Sequence, residues 1–269
     1  MKLADFAKEF KRQDRAQEDV SAYLSKTIDD YMADPDRLDD YVADHLDKVK
    51  LYFTKPDGIT RQPYRASAAG KCLQQQAFKA RDWPETNVVN RKSAQQRALS
   101  AGTFIGVRWH MVFDALHDLG LVETIAAEVR FANPALQLSG SPDRIIRVPI
   151  LDREPIILDF KTIKARYWEQ LLGPQQAYID QVHAYKLLMT GLSEYTQPTR
   201  YCILYENKNT HELKIYDRPF ESATLEHLRE NYTALENWDG KDDSLSLNTD
   251  WCMFCPWQKA CKEIHGRKD

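Results

Sequence analysis

The chain has 269 residues, of which 43% are hydrophobic and 29% charged, with a formal net charge of −3. That length suffices for one large domain, or for a domain with an appendage, built on a real core. The slight acidity excludes a generic polyanion binder, no run approaches the ~18 apolar residues of a membrane span, and the mixed-charge N-terminus lacks a signal-peptide core, so a cytoplasmic location is expected.

Residues 1 to 50 hold 9 Lys/Arg against 13 Asp/Glu and follow a helical pattern. Pro35, in "ADPDR", breaks it. These polar residues are expected to form a helical N-terminal extension, bounded at 1–60, ahead of a main domain at 61–269. A loop with Pro56, Gly58 and Pro63 joins the two. Residues 61 to 108 reverse the balance, with 9 Lys/Arg against 2 Asp/Glu. Such a segment suits a polyanion channel or, equally, a solvated helix face. Ser67 is expected to cap a helix carrying Cys72, Ala77 and Phe78. After the break "RDWPET", a long helix is expected from about Ser93 to Leu119, stopped by Gly120.

From Val122 the period shortens. "ETIAAEVRF", "LQLSGSPDRIIRV" and "PIILDF" are branched segments bounded by Pro, Gly and Asp, and read as strands. A helix follows from about Gln175 to Met189. "TRYCILYE", the turn "NKNT" and "HELKIYD" form a hairpin, and residues 221 to 237 return to helix. This order predicts an α/β fold in which helices flank a mixed central sheet.

The third strand raises a chemical question, because "PIILDFKT" carries charge into the end of an apolar run. Alternation puts Asp159 and Lys161 on one face with Phe160 opposite. Upstream, "SGSPDRI" places Asp143 at a Gly/Pro bend, where a neighbouring strand can set it beside Asp159. Two carboxylates that close repel unless a divalent cation lies between them. Carboxylates around a metal with a lysine at the rim suit metal-assisted phosphodiester hydrolysis. A strand-end salt bridge is the plain alternative.

Gly140 and Asp143, then a hairpin, then Asp159-x-Lys161 resemble the PD-(D/E)XK nuclease superfamily, with its restriction-endonuclease-like core. "GVRWH" resembles the G-x-x-x-H motif of the RecB-like branch and "QVHAY" its Q-x-x-x-Y motif. The resemblance implies catalytic roles for Asp143, Asp159, Lys161, Gln181 and Tyr185. It also implies a metal held by His110, Asp143 and Asp159, and an imidazole ligand suits manganese better than magnesium. Gln181 and Tyr185, four apart on one helix face, would hold a phosphate or brace the lysine, or else form a core-edge hydrogen-bonded pair.

"CMFCPWQKAC" contributes Cys252, Cys255 and Cys261, and Cys72 stands alone upstream. This one-plus-three arrangement is similar to the iron–sulfur members of the branch, including AddB nuclease domains and RecB-like exonucleases of CRISPR adaptation. It implies a 4Fe-4S cluster, although four thiolates at this spacing also suit zinc. Cys202 reads as a small buried apolar residue. No nucleotide-binding loop accompanies these motifs. The expected activity is a metal-dependent deoxyribonuclease, an exonuclease on single-stranded DNA ends, with a non-catalytic DNA-end-binding or assembly subunit as the rival. A homo-oligomer or a larger DNA-processing complex is open under the resemblance.

Overall fold

The computed structural model describes residues 20–34, 36–53, 61–86, 93–151, 154–191, 197–241, 243–249, 252 and 255–266. The helical pattern expected over residues 1–19 lies outside them. Three short helices come first: α1 (Val20–Met32), α2 (Asp36–Asp44) and α3 (Leu46–Phe53). Strand β1 (Tyr64–Arg65) and a 3-10 turn lead to α4 (Leu73–Ala80). The long helix α5 spans Ser93–Asp118. It stops where Gly120 takes a φ of +67°, a conformation that suits a residue without a Cβ.

Ser67 does not start α4. It lies in the 3-10 turn Ala66–Ala68, and Cys72 holds the N-cap position. Gly70 lies in the interruption, where a Cβ would stand 2.4 Å from the Ala177 Cα, so only glycine allows this approach to another helix. The pause leaves Cys72 at the head of α4.

Two of the expected strands each divide into two. "ETIAAEVRF" becomes β2 (Glu123–Ala127) and β3 (Phe131–Asn133), parted at Glu128, whose φ is +52°. "LQLSGSPDRIIRV" becomes β4 (Leu138–Gly140) and β5 (Arg144–Arg147), parted around Pro142. The halves enter different sheets. A small sheet has the order β1-β4-β3. The main sheet runs β2-β5-β6-β7-β8, with β6 at Ile156–Ile163, β7 at Arg200–Asn207 and β8 at Leu213–Pro219. β6 and β7 are parallel, joined across α6 (Gln176–Met189), and the other pairs in the main sheet are antiparallel. The expected mixed sheet between helices is therefore present, with a second small sheet beside it. α7 (Ser222–Asn237) and α8 (Gln258–Ile264) complete the described elements.

Period-2 alternation builds two cores. Ile157 of β6 and Tyr201, Ile203 and Tyr205 of β7 face one cluster, with α4, α6, α7 and the small sheet. Ile156, Leu158, Cys202 and Leu204 face the other, with α5 and the N-terminal helices. Cys202 is fully buried there, as expected of a small apolar residue. Val20, Leu24, Ile28 and Tyr31 belong to this second core, so α1 covers the sheet rather than standing off it. Among the described residues, no helix is long and apolar enough to cross a membrane.

Candidate active site

β5 and β6 pair so that Arg144 stands across from Leu158. One residue outward, where the two strands part, Asp143 and Asp159 face each other. The Phe160 N–H donates to Asp143 Oδ2 at 2.6 Å, which ties the first carboxylate to the second strand. Asp159 is fully buried on the face that meets α6. Its Oδ2 pairs with the Lys161 ammonium, and its Oδ1 accepts from Gln181 Nε2 at 3.3 Å. The same Gln181 nitrogen donates to the Tyr185 hydroxyl at 2.7 Å. Gln181 therefore braces the aspartate rather than the lysine, and Tyr185 stands one bond further back. Lys161 lies over the Tyr178 ring, 4.9 Å from its centroid.

His110 comes from α5, on the opposite side of the strand ends. Its imidazole is buried between a stacked Tyr52 ring, 4.2 Å away, and the edge-on ring of Phe160 at 5.3 Å. Nε2 lies 3.3 Å from Glu128 Oε1. Arg144, completely buried, locks this side to β5. It donates to the His110 carbonyl at 2.6 Å, to Asp114 at 2.7 Å and to the Tyr52 hydroxyl at 2.9 Å. Asp143 and His110 are thus held in register through the residue that follows Asp143. An open cleft of about 410 Å³ lies over the site, lined among others by Gly102, Gly106, His110, Glu128, Asp143, Lys161 and Tyr178.

The electrostatics follow from the crowding. Burial and the charge of Asp159 push Asp143 up to about 8. Burial also raises Asp159, against the pull of Lys161. Burial draws the Lys161 ammonium down, but the charges of Asp159 and Asp143 outweigh it, so it stays protonated. Burial lowers His110, favouring the neutral imidazole that can act as a ligand. Ligand atoms of His110, Glu128 and Asp143 lie within 4.8 Å of one another. An imidazole with carboxylate oxygens fits a divalent cation of the manganese type, and a cation there would relieve the proton affinity of Asp143.

The sequence-predicted residues are therefore brought together on two sides of the parted strands. His110, Asp143 and Lys161 line the cleft, and Lys161 pairs with the buried Asp159. Gln181 and Tyr185 form a buried support on the α6 side. Sequence reasoning passed over Glu128, Tyr178, Tyr52 and Arg144. Only Glu128 carried a usable signal, a carboxylate closing an alternating strand, which is the same feature that singled out Asp159.

The four cysteines also converge. Cys72, at the head of α4, lines one cavity of about 220 Å³ with Cys252, Cys255 and Cys261. Burial and the neighbouring Cys72 and Cys252 sulfurs raise the Cys255 thiol. The tail is pinned beside them. Trp257 Nε1 donates to the Trp83 carbonyl at 2.7 Å, and the Thr86 N–H to the Pro256 carbonyl at 2.9 Å.

A mixed sheet wrapped in helices, offering opposed carboxylates and a lysine where its central strands part, defines a restriction-endonuclease-like fold. The chain belongs to the PD-(D/E)XK nuclease superfamily, whose family model matches residues 6–262. Members of that superfamily are nucleases that use divalent metals. Among curated proteins, none matches. Solved structures similar to this chain include SSO0001, at 15% identity and a TM-score of 0.46 over 81% of this chain and 94% of that one. An alkaline exonuclease, LHK-Exo from Laribacter hongkongensis, has 14% identity and a TM-score of 0.44 over 65% and 87% of the two chains. Neither likeness is strong enough to bear on the activity.

Proposed function

We propose that this chain is a metal-dependent DNA exonuclease that hydrolyses phosphodiester bonds at single-stranded ends. The observation that carries the reading is the cleft lined by His110, Asp143 and Lys161, with the fully buried Asp159 paired to that lysine. His110, Asp143 and Asp159 are the residues that would hold the cation. When bound, it supplies Lewis acidity to the phosphoryl group and to the attacking water. Lys161 supplies a positioned ammonium for the charge that grows on the phosphoryl oxygens in the transition state. Gln181 fixes the Asp159 carboxylate, and Tyr185 fixes Gln181. Gly102 and Gly106 leave two positions on the α5 wall of the cleft without side chains. A Cβ at Gly106 would meet nothing within 4 Å, which gives a strand room to approach.

Residues 61–269 form the nuclease domain in this reading, and the chain before them is a helical extension whose α1 packs into the second core and whose Tyr52 stacks on His110. The RecB-like branch is favoured by the motifs at Gly106–His110 and Gln181–Tyr185. The four cysteines are assigned to a 4Fe-4S cluster. The one-plus-three arrangement favours this over zinc, and all four cysteines line one cavity of about 220 Å³. The cluster would tie the start of α4 to the end of the chain.

The test uses end-labelled linear and circular single-stranded DNA with Mn²⁺, with and without a chelator. Loss of the linear strand alone, abolished by chelation, is the expected result. Cutting of the circle would overturn the exonuclease assignment, and inertness towards both would overturn the catalytic one.

A further inference from the structure

Glu128 belongs to none of the sequence motifs that define the site, yet it occupies the mouth of the cleft. It is the residue at which the predicted strand divides, and it adopts a φ of +52°. For a residue with a Cβ that conformation costs about 1–2 kcal/mol, and glycine would adopt it freely. Its backbone N–H donates to the Asp143 carbonyl at 3.1 Å, so the two residues are tied together through the main chain. Its side chain is 43% exposed, so apolar packing does not hold it there. The turn instead aims its carboxylate at the buried His110, 3.3 Å from Nε2.

We infer that Glu128 is a further ligand of the divalent cation, added from the end of β2 to the His110, Asp143 and Asp159 named above. This rests on the nuclease reading above and adds a residue to it. Three carboxylates, those of Glu128, Asp143 and Asp159, gather around the strand ends. The neighbouring Lys161 ammonium is engaged with Asp159. Glu128 and Asp143 therefore face each other across a gap of less than 4.8 Å with an imidazole as the third donor. Hard oxygen donors and one borderline nitrogen suit manganese, and magnesium less well. The division of labour is spatial. Asp159 is held by Lys161 on the cleft side and by Gln181 on the α6 side, whereas Glu128 reaches the cation from the solvent side.

The test measures Mn²⁺ binding directly, by the electron paramagnetic resonance of free Mn²⁺ titrated into cation-free protein, and follows Tm in parallel. Glu128→Gln keeps the shape and the hydrogen bond but removes the charge. Glu128→Gly suits the left-handed backbone and removes the side chain. Both should weaken Mn²⁺ binding by about tenfold or more, the scale at which even indirect contacts to a metal count. Glu128→Gly should keep or raise the Tm of the cation-free protein. Wild-type Mn²⁺ affinity in either variant overturns the inference, as does a lower Tm with unchanged affinity, the mark of a merely structural contact to His110. A wild-type protein that binds no Mn²⁺ overturns the inference together with the metal-site reading beneath it, so the two failures are distinguished.

Discussion

Lys161→Met separates charge from packing at the centre of the cleft. Methionine keeps a linear stem against the Tyr178 ring and removes only the ammonium that sits 4.9 Å from its centroid. Asp159, fully buried, then loses its counter-ion and retains the Gln181 amide. Stranding a buried charge costs about 3–5 kcal/mol. The carboxylate can escape by taking a proton, at about 1.4 kcal/mol per pH unit above an ordinary Asp pKa of about 3.9. That is roughly 4 kcal/mol at pH 7 and roughly 1.5 kcal/mol at pH 5. The folded variant then holds a proton that its unfolded chain has released, so its stability falls as pH rises. Urea denaturation in cation-free buffer should show a deficit against wild type that grows by about 2–3 kcal/mol from pH 5 to pH 7. Cleavage should fall by about a hundredfold or more, the scale of losing one positioned electrostatic group. A deficit independent of pH would refute the electrostatic reasoning. Near-normal cleavage would refute the role given to Lys161.

Asp143, pushed up to about 8 by burial and the charge of Asp159, holds a proton in the fold that an unfolded chain releases near pH 4. Cation-free protein should lose stability as pH rises through that window, and Mn²⁺, which competes with the proton, should raise Tm more at pH 8 than at pH 5; equal shifts would count against this. Protein purified without oxygen should contain about four iron and four sulfide per chain. Cys72→Ser should bleach it and, because residues 72 and 252 are 180 positions apart, cost on the order of 5 kcal/mol by the chain-entropy relation for a cross-link. Cys202→Ser should leave the colour unchanged, and stoichiometric zinc without sulfide would overturn the cluster.

Much of the sheet was legible because alternation is local. β6, β7 and β8 follow the predicted segments, and Asp159 and Lys161 share a face as period 2 requires. The start of α4 was not. Ser67 is a good capping residue, but it lies in a 3-10 turn that leads Gly70 against Ala177, a neighbour more than a hundred residues away. The strand divisions at Glu128 and Pro142 were half visible. The Gly/Pro bend before Asp143 was read from the sequence. Nothing in "AAEVRF" announces a left-handed glutamate.

The sequence by itself determined which residues carry charge into apolar strands, which pairs share a helix face and which cysteines stand in series. Those properties depend on neighbours within a turn or two of chain. Only the tertiary structure decided what each of them meets. His110 meets Glu128 across 18 residues, Tyr52 meets Asp114 across 62, and Gln181 meets Asp159 across 22. It also decided that Gln181 supports a carboxylate rather than the lysine, and that an N-terminal helix lends a ring to His110. The physical reason is that burial and charge at this site are collective. The proton affinity of Asp143 is set by burial together with Asp159, Lys161 and Glu128, which with Asp143 itself lie on three separate stretches of chain brought to one point only by the sheet and the turn at Glu128.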